Sequence, residues 1–218
     1  MNDKSDDVLV AKTFVADIGL LAFGERYMDE LLNRARMVSG ALSAAGVPHA
    51  VIGGLAIRTF EALAHGGASL TTRDMDILLR RSDLDRASQA LQPLGFNYRV
   101  VNSIPAFVLP GERFRNAIHI LWAGEVVKQS PHPTPDFDET QLRESPEGYL
   151  CIDIKRLVFL KLTSFRPKDV AHLQDLAQWR LITQPIQDSL PADLKLRLDQ
   201  VFEQNRVEGR DQDSDEIQ

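Results

Sequence analysis

Two aspartates in alternation, Asp74 and Asp76 in the run TTRDMDILLR, are the residues of this chain whose type and spacing most directly suggest chemistry. In a β-strand, side chains two positions apart point to the same face, so both carboxylates face one side and Met75 and Ile77 the other. Two neighbouring carboxylates repel each other unless a cation lies between them. Mg²⁺ and Mn²⁺ favour carboxylate oxygens, and Mg²⁺ commonly completes its shell with substrate phosphates. The pair therefore predicts a metal site that handles phosphates, the simpler alternative being a solvated strand end.

A twin glycine, Gly53-Gly54 in VIGGLAIRTF, precedes the acids, with Asp74 twenty positions after the second glycine. Glycine lets the backbone pass close to a phosphate, and a helix that begins there offers free N–H groups to it. A tight turn between a strand and a helix would need glycine for purely structural reasons. Combined with the acid pair, the glycines indicate nucleotide chemistry.

In this order of glycines, helix and acid pair, the chain resembles the nucleotidyltransferase superfamily, with its polymerase-beta-like fold, in its minimal bacterial forms. The family pattern is a hydrophobic residue before two glycines, a helix, and a strand reading acid–hydrophobic–acid–hydrophobic. The matching runs here are VIGGLAIRTFEAL and RDMDILL. A second stretch, LVFLKLTSFRPKDVAHLQDL over 157–176, is similar to the lysine- and Lys-Asp-bearing helices of toxin-type members. The resemblance covers roughly residues 48–180.

The resemblance implies a transferase that moves a nucleoside monophosphate from an NTP to an acceptor hydroxyl. Its metal, Mg²⁺ or Mn²⁺, would be held by Asp74 and Asp76, and the nucleotide would lie beside Gly53 and Gly54. The acceptor can be RNA, a protein side chain or a small molecule such as an antibiotic. The toxin-like likeness also suggests a toxin–antitoxin or defence role with a cognate antitoxin. The alternative is a catalytically degenerate, nucleotide-binding regulatory protein of the same fold.

Basic side chains are needed to hold the triphosphate oxygens of such a substrate. Arg73 is next to the acid pair, and Lys161, Arg166 and Lys168 lie around the break between two predicted helices. The resemblance implies that Lys161 and the Lys168–Asp169 pair face the site. A lysine inside the apolar run LVFLKL also demands a reason, because lysine is seldom buried. The simpler interpretation is a solvated face, with Asp169 capping the second helix.

The family usually supplies a third acid from a later strand. The strand AIHILWAG has His119 at the position where that aspartate is expected. A neutral histidine can ligate a metal or act as a general base near pH 7, so His119 joins the two aspartates as a candidate catalytic residue. A structural histidine in the sheet is an equally good interpretation. Asp153 in YLCIDIKRL is another candidate third acid, although its place before a helical pattern favours an N-cap.

The charge of the chain is unevenly distributed. The net charge is −6, but residues 1–7 carry −2 and residues 207–218 carry −4, so 8–206 are neutral. Non-specific binding to nucleic acid needs a broad basic face, so we expect no DNA partner. A nucleotide and a small or transiently held acceptor are compatible with a neutral body.

The lone cysteine, Cys151, excludes an internal disulfide and favours a reducing cytoplasm. No segment approaches the roughly 18 consecutive apolar residues of a membrane span. The chain starts with acids instead of a basic segment, which argues against a secretory signal. We therefore expect a cytoplasmic protein without a membrane partner.

The hydrophobic periodicity predicts an α/β (α+β) fold, a small mixed β-sheet flanked by helices, with a helical C-terminal part. Helices are predicted over 26–46, 54–64, 83–92, 154–165, 168–182 and 191–205, and strands over 49–54, 74–79 and in three segments within 95–122. The polar, Pro-rich segment 126–148 predicts a long loop. The predicted parts are a disordered N-terminus (1–7), a nucleotidyltransferase-like core (8–153), a helical part packed on it (154–206) and a disordered acidic tail (207–218).

Overall fold

The computed structural model describes residues 26–127, 130–136 and 141–215, with side chains described as far as residue 206. The prediction of a disordered segment over 1–7 lies outside these residues. The first described helix, α1, covers 26–44 and buries Ala35, Val38 and Leu42 completely. This is the face that the spacing of its apolar residues predicts.

The described residues form seven strands, which are β1 His49–Ile52, β2 Met75–Leu79, β3 Asn97–Val101, β4 Ile104–Val108, β5 Ile118–Trp122, β6 Arg143–Glu144 and β7 Leu150–Cys151. These strands make one mixed sheet in the order β3-β4-β5-β2-β1-β7-β6. Strand β2 runs parallel to β5 and β1 parallel to β7, and the other neighbouring strands are antiparallel. The small mixed sheet predicted from the sequence is therefore confirmed.

The described helices after α1 are α2 Gly53–His65, α3 Leu84–Leu91, α4 Ile154–Ser164, α5 Pro167–Gln178, α6 Gln184–Asp188 and α7 Ala192–Asp215. Helix α2 follows β1 directly and packs on β1 and β2, while the C-terminal helices α4 and α5 contact α2. Helix α7 packs on α4 and α5 in turn. None of the described helices combines the length and apolar composition needed to cross a membrane.

The central strand β2 is deeply buried on both faces except at its start. Met75, Ile77, Leu78 and Leu79 have at most 1% of their surface exposed. Asp76 is the one residue of the strand that reaches solvent. The apolar residues thus fix the strand in the core, and their burial holds the position of the aspartate among them.

The structure differs from the sequence prediction in its C-terminal half. Helix α5 ends at Gln178 instead of 182, because the backbone turns at Arg180, which has a φ of 58°, and the short helix α6 follows. Helix α7 continues to Asp215, so 207–215 are helical where the sequence predicts a disordered tail; 216–218 lie outside the described residues. A helix already nucleated by a packed segment extends at little further cost, which composition alone does not reveal.

The segment 126–148 is also more structured than a single long loop. Val126 and Pro133 form an isolated antiparallel bridge, and β6 pairs with β7 at its far end. Both features are too short to show a strand periodicity in the sequence. Residues 128–129 and 137–140 of this segment lie outside the described part of the chain.

Candidate active site

The two aspartates lie at the start of β2, as the sequence predicts. Asp74 directly precedes the strand, and Asp76 is its second residue, paired with Ile52 of β1 on one side and His119 of β5 on the other. Their side chains are 40% and 32% exposed respectively. The carboxylates are therefore accessible to a ligand while the strand that carries them is fixed.

The twin glycine packs directly against the acids. Gly53 has a φ of +71°, and a Cβ built on it would lie 2.4 Å from Oδ2 of Asp76. A Cβ on Gly54 would lie 2.4 Å from the hydroxyl oxygen of Thr72. Any larger residue would collide with the segment that carries the acid pair, so both glycines are needed for this close approach.

Helix α2 begins at Gly53, so its N-terminus opens beside Asp76. Its N-cap residue, Ile52, makes no side-chain capping hydrogen bond. The first N–H groups of a helix have no partner within the helix and favour an anion. A phosphate next to the glycines, as the sequence analysis expects, would face these N–H groups.

His119 of β5, which the resemblance singled out in place of a third acid, is paired with Asp76 of β2. Its Nδ1 is 3.6 Å from Oδ1 of Asp76, and its ring packs against Phe114 with the ring centres 5.3 Å apart. The contact with the Asp76 carboxylate raises the pKa of His119 above its ordinary value; partial burial opposes this, and the charge of Asp74 adds to it. The structure thus brings together the three residues predicted to be catalytic.

Lys168 reaches the acid pair from the first turn of α5. Its ammonium nitrogen is 3.9 Å from Oδ2 of Asp74, and its side chain is 51% exposed. An exposed pair of this kind contributes little to stability, so its charge is available to a ligand. Lys168, which the sequence analysis expects to hold phosphate oxygens, thus lies beside the acid pair.

Lys161 and Asp169 lie at the junction of α4 and α5, bound to each other. The lysine nitrogen is 2.9 Å from Oδ1 of Asp169, and their side chains are 5% and 0% exposed. Asp169 also accepts hydrogen bonds from Ser164 and from Nε of Arg166, at 2.6 and 2.8 Å. The resemblance implies that Lys161 and Asp169 face the site, whereas in the structure their charges face each other inside the protein.

The environment of this pair shifts both of its pKa values. Burial alone would raise the pKa of Asp169, but the hydrogen bonds from Arg166 and Ser164 and the charge of Lys161 hold it well below its ordinary range. Burial lowers the pKa of Lys161, and the attraction of Asp169 opposes that effect. Asp169 therefore acts as the anionic centre that joins the two helices.

Arg166 projects outward from this junction. Its side chain is 63% exposed, and besides its bond to Asp169 its pKa is raised by the charges of Asp76 and Asp74. The guanidinium thus feels the charge of the acid pair. Arg166 and Lys168 are exposed to solvent, whereas Lys161 is buried.

Helix α1 supplies contacts that sequence patterns do not reveal. The Tyr27 hydroxyl donates a hydrogen bond of 2.8 Å to the carbonyl oxygen of Arg73, directly before the acid pair. The Arg73 side chain itself is exposed. Arg34 of the same helix binds the loop before β5, through Glu112 and the carbonyl oxygen of Asn116. No local signal marks these residues, because their partners lie 46 or more positions away.

Asp153, the other candidate for a third acid, caps helix α4. Its carboxylate accepts from the backbone N–H of Arg156 at 3.0 Å and pairs with the Arg156 guanidinium at 2.7 Å. The N-cap interpretation is confirmed, since both carboxylate oxygens are engaged within the first turn of the helix.

The donor set at the acids matches a divalent cation that shares its shell with a substrate. Among the described residues, no group of three or more His, Cys, Asp or Glu side chains is close enough to enclose a metal ion by itself. Two accessible carboxylates suit Mg²⁺, which is commonly held by one or two carboxylates plus phosphate oxygens and water. The residues present therefore fit a substrate-bridged Mg²⁺ or Mn²⁺ better than a permanent protein-enclosed site.

Comparison with solved structures identifies the fold. An antigenic nucleotidyltransferase-like protein from Paracoccidioides brasiliensis matches with a TM-score of 0.52 at 15% identity, over 82% of this chain and 90% of the other. The fold of this chain is nucleotidyltransferase-like. No protein-family model and no curated protein matches the sequence.

Two structures of the antibiotic-resistance factor ANT(2'')-Ia also match, with lower scores. The solution structure gives a TM-score of 0.44 at 11% identity, over 86% of this chain and 95% of the other. The crystal structure in complex with adenylyl-2''-tobramycin gives 0.45 at 14% identity, over 80% and 98%.

Proposed function

We propose that this protein is a metal-dependent nucleotidyltransferase that moves a nucleoside monophosphate from an NTP to an acceptor hydroxyl. The observation that carries the proposal is the joint placement of Gly53, Asp76 and His119 on three neighbouring elements of a nucleotidyltransferase-like fold. A phosphate-binding turn, a carboxylate and a candidate base converge there at contact distance. A purely structural role leaves the accessible acid pair unexplained.

Asp74 and Asp76 are the residues that would hold the Mg²⁺ or Mn²⁺. When bound, such an ion neutralises phosphate charge and orients the reacting groups. The side chains around the ion then complete the binding site for the NTP. Lys168 and Arg166, from the C-terminal helices, supply positive charge to the triphosphate. The first N–H groups of helix α2 supply the partial positive charge of a helix N-terminus.

In the transfer, the acceptor oxygen forms a bond to the α-phosphorus of the NTP. The bond from that phosphorus to the oxygen bridging to the β-phosphate breaks, and pyrophosphate leaves with the electron pair. His119 in its neutral form accepts the hydroxyl proton, and Asp76 at 3.6 Å stabilises the imidazolium that results. Positioning and charge stabilisation account for most of the rate in such reactions.

The proposal is tested by label transfer. Each NTP labelled at the α-phosphate is incubated with the protein and with RNA, protein or small-molecule acceptors, in parallel with Asp76→Asn. We expect metal-dependent labelling of one acceptor class that disappears in the variant. Labelling that persists in Asp76→Asn would contradict the assignment. The toxin or defence role stays a proposal, to be examined by whether expression of the wild type, and not of Asp76→Asn, arrests growth.

The second candidate is a regulatory protein that binds nucleotide without turnover. His119 in place of an acid favours it, because a lost ligand is one way to lose activity. His119→Asp separates the two functions. Transferase activity that rises in the variant would mark the natural site as degenerate, whereas activity that falls would identify His119 as a working group of the site.

A further inference from the structure

The loop between β4 and β5, residues 109–117, borders the acid pair. Strands β4 and β5 are antiparallel with Phe107 opposite Ile118, so the loop lies at the end of the sheet where β5 begins. The ring of Phe114 packs on His119 with the centres 5.3 Å apart. This loop therefore forms the wall of the site on the side away from β1.

Helix α1 holds the loop in place. The guanidinium of Arg34 donates to both carboxylate oxygens of Glu112, at 2.8 and 3.1 Å, and to the carbonyl oxygen of Asn116. A two-pronged arginine–carboxylate contact fixes direction as well as distance. Glu112 is the only acid in residues 109–117, so its pairing leaves the loop with a positive charge.

Arg113 and Arg115 supply that charge. Both are exposed, and neither guanidinium makes a hydrogen bond or ion pair with a described residue. Arg113 directly precedes the short 3-10 turn Phe114–Asn116, and Arg115 is its middle residue, so the two arginines flank Phe114. Because these two exposed arginines have no ionic partner among the described residues and lie on a held turn beside the acid pair, their charge is available to an anionic ligand.

Arg99 extends the same surface across the sheet. In the strand register Arg99 is opposite Ala106 of β4, and Ala106 is opposite His119 of β5. His119 is in turn opposite Asp76 of β2. Side chains at directly opposite positions share one face of a sheet, so Arg99 is on the face of the acids. It is exposed, has no ionic partner among the described residues, and lies two strand spacings, about 10 Å, from His119.

We propose that Arg99, Arg113 and Arg115 form the acceptor-binding surface, and that the acceptor is a single-stranded oligonucleotide end with successive phosphates. This inference rests on the proposed function. The donor phosphates already have Lys168 and Arg166, which approach from different elements. Arginine forks suit phosphate oxygens, and cations separated by two strand spacings match a chain of phosphates better than one phosphate. A cationic acceptor would be repelled.

The test uses the full-length protein and a fluorescein-labelled oligouridylate of about eight nucleotides, within the usual site size for single strands. Anisotropy gives its affinity at several salt concentrations for wild type and for R99A/R113A/R115A. We expect at least tenfold weaker binding in the variant at low salt, and a salt slope smaller by about 2, since each phosphate contact contributes about 0.7. The matched control is Arg143→Ala, an exposed arginine in β6 at the opposite edge of the sheet.

Each result decides the inference separately from the proposed function. Equal binding by wild type and the triple variant overturns it, as does competition by uridine monophosphate as strong as that of the oligonucleotide. Loss of binding in the control as well as in the triple variant also overturns it, because the attraction would then be general. Mg²⁺-dependent NTP binding, measured on the same preparations, should be unchanged in the triple variant; its absence from the wild type would defeat the proposed function and leave the oligonucleotide result standing.

Discussion

Gly53 and Asp76 approach so closely that one methyl group would not fit between them. A Cβ on the glycine would lie 2.4 Å from the aspartate oxygen, and the glycine backbone has a φ of +71° that other residues rarely adopt. The turn that opens helix α2 and the acid of β2 are thus built as one unit. The phosphate-binding and metal-binding functions we propose depend on that unit.

Gly53→Ala should therefore impair the site through geometry. We expect a loss of stability of about 1–3 kcal/mol from the strained backbone, and nucleotide binding weakened at least tenfold because Asp76 must move. Thermal unfolding and NTP titration measure the two effects. Gly67→Ala is the matched control, since Gly67 has open space around it and no positive φ. Unaltered NTP binding in Gly53→Ala would show that the turn does not position the acid.

The pair Lys161 and Asp169 should support the fold more than it contacts the nucleotide. Lys161→Met leaves the buried Asp169 charge without its lysine partner, which typically costs about 3–5 kcal/mol. Denaturant unfolding checks the loss. Lys155→Met, at an exposed position of the same helix, should unfold like the wild type. A small effect of Lys161→Met on stability together with a large one on NTP affinity would restore the direct role predicted from the sequence.

Asp169 should also make the free energy of unfolding depend on pH. Its pKa is held below the ordinary value of 3.8, so its contribution is complete above about pH 4 and is lost as pH falls through the lowered value. In Asp169→Asn this part of the acid sensitivity disappears, and the variant is less stable at pH 7. Melting temperatures between pH 7 and strongly acidic solution give both quantities. The exposed Asp199→Asn is the control, and an equally steep acid dependence in Asp169→Asn would refute the assignment.

Tyr27 should act as a positioning residue for the segment before the acids. Tyr27→Phe removes one hydrogen bond to the Arg73 carbonyl oxygen, worth about 1 kcal/mol, so NTP binding should weaken several-fold with little change in folding. Tyr98→Phe is the control, because the Tyr98 hydroxyl bonds to no described residue. Affinity unchanged in Tyr27→Phe would mean that Arg73 and Asp74 are held by other contacts.

What the sequence predicted well was local. The alternation of Asp74 and Asp76 and the twin glycine are each recognised from adjacent or alternate residues, and the structure places the two motifs together. Lys161 was correctly recognised as unusual in an apolar helix, but the sequence did not show that its partner is Asp169 across a helix break. The resemblance singled out His119 on a later strand, and the structure pairs that residue with Asp76.

What the sequence did not predict depends on distant contacts or on very short elements. Tyr27 and Arg34 contact segments 46 and 78 positions away, so no spacing rule connects them to the site. Helix α6 has five residues and β6 has two, too few to show periodicity. The sequence does not link the arginines around Phe114 to the site, because only the register of β4 and β5 shows that their loop lies beside the acid pair.

The most direct test of the account is calorimetric titration of the four NTPs, with and without Mg²⁺, into wild type and into Asp74→Asn/Asp76→Asn. We predict binding of at least one NTP that requires Mg²⁺ and disappears in the double variant, while the variant keeps the wild-type circular dichroism spectrum. NTP binding by the folded double variant that equals the wild type would contradict the assignment of the site, and absence of binding by the wild type would contradict the proposed transferase.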